Sequence, residues 1–148
     1  MNKLLPLVVT AAMLSGCAYD PGSSYVEPLT APADATILAS AITEFVSMRL
    51  PAARTAVILQ ATSDGQASNA VTPLLTDDLR RRGFALVADG TSGAHRVRYL
   101  VTPLDQGDLL RLSLDGGSTE ASRFFVRNTA GALQAGGPFT IRTTEAER

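Results

Sequence analysis

The residues able to do chemistry in this chain are few and poorly matched to one another. There is one cysteine, Cys17, and one histidine, His95. Cys17 follows Leu14-Ser15-Gly16, an aliphatic residue and two small ones. Small residues let a peptidase approach the backbone, and the thiol is the nucleophile that receives a diacylglycerol. A thiol spent in this way leaves no Cys–His nucleophile pair and no zinc site. His95, near a strand start and beside an arginine, reads as a surface residue. Asp77 and Asp78 are adjacent on a helix and point in different directions, which does not suit acid–base work. Asp105 and Asp108 bracket a turn, a common use of aspartate. No glycine-rich phosphate cradle lies between a strand and a helix. The expectation is therefore no enzyme site, no metal and no cofactor.

What positions Cys17 is a segment in three parts. Met1-Asn2-Lys3 is a short positive start, and Leu4 to Met13 is an apolar run too short for a stable transmembrane helix. Leu14 to Cys17 then fits the lipobox of bacterial lipoproteins, with cleavage between Gly16 and Cys17. Residues 1–16 are read as the signal peptide and Cys17 as the lipidation site. Several acyl chains on one residue give stable anchoring where one chain does not. The next residue is Ala18, not aspartate; in the lipoproteins that this segment resembles, that favours the outer membrane, facing the periplasm. Residues 17–33 carry three prolines, a glycine and small polar residues with no helical or strand period, so the expectation is a flexible linker. It would hold a domain on the order of 20 Å from the lipid.

Past the linker, 45% hydrophobic and 18% charged residues favour one folded domain over disorder. The single lysine, Lys3, lies in the signal, leaving twelve arginines against fourteen acids and a net charge of about −2. That balance argues against nucleic acid as a partner. Ile37, Leu38, Ala41, Ile42, Phe45 and Val46 recur at helical spacing, with Asp34 as N-cap and Pro51 as terminator. Thr55 to Gln60 reads as a central strand, apolar on both faces. A second helix spans 68–82 with Val71, Leu74, Leu75 and Leu79 inward; Pro73 fits its first turn after a Thr72 cap, and Gly83 ends it. Strands follow at 84–88, 96–101, 109–114, 122–127 and 139–141, joined by turns at 105–108 and 115–117. The fold class is α+β: two helices packed on one face of a mostly antiparallel sheet of about five or six strands. The domain runs over 34–142, and 143–148 form a C-terminal tail.

Leu50-Pro51-Ala52-Ala53-Arg54-Thr55, Leu79-Arg80-Arg81-Arg82-Gly83-Phe84-Ala85, Val97-Arg98-Tyr99-Leu100-Val101, Leu104-Asp105-Gln106 and Leu110-Arg111-Leu112-Ser113-Leu114 resemble, in that order and spacing, the TrbH family of conjugal-transfer lipoproteins. The resemblance covers most of 42–142. It implies an accessory structural component of a conjugative type IV secretion, or mating-pair formation, apparatus, with other apparatus proteins as partners. The alternative is a periplasmic binding module for peptidoglycan or another envelope ligand. Arg96, Arg98, Arg111, Arg123 and Arg127 are the candidate contact residues for either, since arginine suits protein interfaces and carboxylates. Cys17→Ser is expected to abolish lipid attachment and leave the precursor uncleaved or soluble; radiolabelled palmitate incorporation that survives the substitution would refute the anchor.

Overall fold

The structure is a computed structural model that describes residues 23–26, 32–60 and 69–144. The signal, Gly16 and Cys17, most of the expected linker, the loop at 63–65 and the end of the tail lie outside the described residues. The elements in chain order are β1 (Tyr25–Val26), α1 (Pro32–Arg49), β2 (Ala56–Leu59), α2 (Val71–Arg81), β3 (Ala85–Leu86), β4 (His95–Leu104), β5 (Gly107–Leu114), β6 (Thr119–Arg127), β7 (Leu133–Ala135) and β8 (Thr140–Thr143). They form the expected α+β arrangement, with a mixed sheet that curls into a half-barrel. Strand order is β3-β2-β4-β5-β6-β7, with β1 beside β4 and β8 beside β6.

α1 starts earlier than its apolar stripe suggests. Pro32 opens it, where a missing N–H costs nothing because first-turn donors have no partner within the helix. Asp34 is therefore inside the first turn and not the N-cap. Leu38, Ile42, Phe45 and Val46 are buried as the spacing predicts. Thr43 is buried with them, because its Oγ1 donates to the Ala39 carbonyl at 2.9 Å and so leaves no unmet donor. α2 begins at Val71 with Ala70, not Thr72, at the N-cap position, and Asn69 Oδ1 accepts the Val71 N–H at 2.8 Å from just outside the helix. Pro73 is the third residue of the helix, still within the turn that needs no donor. At the other end the Gly83 N–H donates to the Arg80 carbonyl and the Phe84 N–H to Leu79, with Gly83 at φ 91°. This left-handed closure needs glycine, and it delivers Phe84 into the core.

The sheet combines two kinds of pairing. β4, β5 and β6 make consecutive antiparallel hairpins, as expected. The turn between the first two is Asp105-Gln106 alone; Gly107 and Asp108 already belong to β5. A Cβ on Gly107 would lie 1.8 Å from the Phe125 carbonyl oxygen, so only glycine lets β5 approach β6 there. β7 and β8 also pair antiparallel, with β6, whereas three pairings are parallel: β1 and β2 with β4, and β3 with β2. Parallel neighbours need crossovers, and α2 supplies the one between β2 and β3. β1 lies inside the segment read as linker, with Tyr25 opposite Leu100 and the Tyr99 N–H donating to Ser24 Oγ. Strand character there is invisible as periodicity because only two residues pair. β8 continues through Thr143, one residue into the expected tail.

Alternation sorts the strands into two faces. Val57, Val97, Tyr99, Val101, Leu110, Leu112, Leu114, Ala121 and Phe125 meet Leu38, Ile42, Phe45, Leu75 and Leu79 of the helices in one core. Tyr99 is fully buried, and its hydroxyl meets Thr72 Oγ1. On the same inner face Arg127 donates to Asp34 of α1 at 2.8 Å and to Asp108 of β5 at 3.2 Å. Both carboxylates are 2% exposed, and the guanidinium compensates their loss of water. Burial pushes the Asp108 carboxyl above the ordinary carboxylate range, against the pull of Arg127 and with a further push from Asp34.

Leu79→Asp should unfold the domain, since it places an unpaired charge where even Leu→Ala costs about 2–5 kcal/mol. Thermal denaturation followed by circular dichroism tests this. Arg127→Met should cost about 1–3 kcal/mol, less than for a fully buried pair because the guanidinium side chain is 36% exposed; an unchanged denaturation midpoint would remove the latch from the account. A raised carboxyl pKa in the folded state stabilises below the ordinary carboxylate range, and that contribution is lost as pH rises through the folded value. Asp108→Asn should therefore gain on the parent chain as pH rises from about 4; melting temperatures that change in parallel would contradict this assignment.

Candidate functional site

The outer face of the sheet, opposite the helices, is built from the residues that the core leaves over. Leu100 on β4, Leu109, Arg111 and Ser113 on β5, Glu120, Ser122 and Phe124 on β6, and Thr140 and Arg142 on β8 share it by register. The sheet encloses a groove of about 380 Å³ here, bordered by Arg98, Arg111 and Arg142 with Leu100 and Ser122 among its lining. A second, open hollow of about 420 Å³ lies between Leu104 and Phe124, both substantially exposed.

The five arginines singled out from the sequence divide between the two faces. Arg123 and Arg127 stand on the inner face. Arg123 donates to the Gly137 carbonyl at 2.7 Å, reaches Glu44 of α1 at 3.1 Å and lies 4.9 Å from the centre of the Phe139 ring. With Arg127 it fastens β6 to α1, so both have structural work. Arg96, Arg98 and Arg111 stand on the outer face. Arg96 pairs with Asp89 at 2.7 Å, and Arg98 Nε donates to the Ser23 carbonyl at 2.7 Å, beside β1. Arg111 has no ion pair among the described residues. Arg142, which sequence reading missed, pairs with Glu120 across β6 and β8. The signal for it was the alternation Thr140-Ile141-Arg142-Thr143, obscured because the strand was expected to end at 141.

Other residues with chemical potential have local uses. His95 Nδ1 meets Asp115 Oδ2 at 2.6 Å, while Asp115 Oδ1 accepts the Arg96 N–H at 2.9 Å; together they fix the turn after β5 to the start of β4. Asp78 pairs with Arg81 one helical turn along. Asp105 is exposed in its turn, but Asp108 is the inward carboxylate of the Arg127 latch. Among the described residues no three histidine, cysteine, aspartate or glutamate side chains are grouped to hold a metal ion, and no helix is long and apolar enough to cross a membrane. What the outer face offers chemically is contact. Guanidinium groups beside a groove with apolar lining suit carboxylates carried on an extended ligand.

No curated protein and no solved structure matches the chain at a significant level. A family model does match it, described as conjugal transfer protein TrbH, over residues 19–145. That span takes in every described element from β1 to β8, including the arginine-bordered groove, and the description names a transfer process and no reaction. The chain belongs to the TrbH family of conjugal transfer proteins.

Proposed function

We propose that this chain is an outer-membrane lipoprotein serving as an accessory structural component of a conjugative type IV secretion, or mating-pair formation, apparatus. The family match carries the reading, because it assigns the process to the folded part and not to the leader alone. The lipobox ending in Cys17 supplies the address, and Ala18 directs it to the outer membrane. The protein acts by contact and not by catalysis. A lipid-held domain gains effective concentration beside neighbouring complexes without needing high intrinsic affinity. Its partners on this reading are the membrane, through the lipid, and other proteins of the apparatus.

Deleting the gene in donor cells is expected to lower conjugation frequency and leave recipient ability intact. The Cys17→Ser protein should complement poorly and improve when overproduced, since mass action replaces tethering. Donors that lack the protein and still transfer normally, on plates and in liquid, would overturn the transfer reading. They would favour the second reading, a periplasmic lipoprotein module whose arginine-bordered groove takes carboxylates of peptidoglycan or another envelope ligand.

A further inference from the structure

β8 is the outer strand against the first half of β6, and all four of its residues are exposed. The hydrogen-bond pattern identifies which of its backbone groups are unused. The Thr144 N–H donates to the Ser118 carbonyl at 2.9 Å, outside the Thr119–Thr143 pair. In an antiparallel ladder this makes Thr119–Thr143 and Ala121–Ile141 the wide pairs. The N–H and C=O groups of Ile141 and Thr143 therefore point away from β6, and among the described residues no strand pairs with that edge. Open edges are usually blunted by proline, a bulge or a covering loop. β8 has no proline, and among the described residues the charge of Arg142 and its short length are its guards.

The side chains of β8 state what a further strand would need. Arg142 lies on the outer face with Arg111 and Arg98, where Glu120 is the one carboxylate lining the groove. Ile141 lies on the inner face and is 39% exposed. A strand added about 4.8 Å beyond β8 would alternate between these two surroundings. Residues on its outer face would lie beside Arg142, which pairs with Glu120, on the side of the groove that Arg111 and Arg98 also border; residues on its inner face would meet isoleucine. A second copy of the chain fits poorly, because edge-to-edge pairing brings the Arg142 side chains of the two copies together, and like charges facing across strands repel.

We propose that the free edge of β8, with the groove bordered by Arg111 and Arg142, receives an extended segment of another protein whose residues alternate between acidic and apolar. Backbone pairing to Ile141 and Thr143 supplies affinity, and the arginine row supplies the choice of partner. The inference rests on the reading that the protein acts by contact within a larger assembly.

The test uses the full chain in detergent micelles and a decapeptide of alternating glutamate and valine, blocked at both ends. Binding should slow amide exchange at Ile141 and Thr143, weaken with salt, and fall by about tenfold or more in the Arg111→Glu, Arg142→Glu double variant. Both side chains are exposed, and circular dichroism checks that the variant keeps its fold. Equal binding by the lysine–valine counterpart, or binding that leaves Ile141 and Thr143 unprotected, overturns the proposal. So does concentration-dependent protection of these amides in the protein alone, which would assign the edge to a second copy. Conjugation assays separate the two readings. If deletion lowers transfer while the double variant transfers normally, the β8 site falls and the transfer role stands. If deletion has no effect, the transfer role falls whatever the peptide does.

Discussion

A slip of one residue between β5 and β4 would turn Leu110, Leu112 and Leu114 out to water and drive Arg111 and Ser113 into the core. Every feature of the molecule hangs on avoiding that slip. Three buried leucines and an exposed arginine cannot exchange places without a loss larger than the stability of a domain. Gly107 adds a second lock, because no other residue fits against the Phe125 carbonyl at the point where β5 meets β6. With register fixed, one face of the hairpins must seat the helices and the other must carry Arg98 and Arg111. The core and the groove are two sides of one alternation.

That alternation explains which parts of the fold were legible. Helical spacing from Ile37 to Val46, and period two from Val97 to Val101 and from Leu110 to Leu114, are repeated choices that burial enforces, and the structure follows them. The sequence resemblance to the TrbH family rested in part on the same two strands, 97–101 and 110–114, and the family match extends over them. β1 and β7, of two and three residues, leave no period to read, and β3 was legible only as the short apolar run at 84–88. The direction of β1, β2 and β3 was hidden for a different reason. Parallel pairing is decided by which strand lies next in space, and β2 finds its partners at β3 and β4, beyond a helix or further along the chain.

The candidate site was half legible. Arg98 and Arg111 stand where an exposed strand face puts them, whereas Arg123 and Arg127 face α1. The clue lay in parity: Arg127 shares its face with Phe125, and Asp108 shares its face with Leu110. A charged residue in an apolar row asks for a partner, and each of these found the other. Asp34 belonged to the same set, four residues before Leu38 on the buried side of α1, but its position near the helix start suggested a cap instead.

The Arg127–Asp34 contact joins residues 93 apart in the chain, and Arg123–Glu44 joins residues 79 apart. The hairpins of β4, β5 and β6 close short loops and can form early, whereas the ion pairs that fasten α1 to the sheet exist only once β6 is in place. α1 is made first and can pack on α2, its main neighbour, while its fastening to the sheet waits for the far end of the chain. A fragment ending before β6 would keep the helix pair and lose both fastenings.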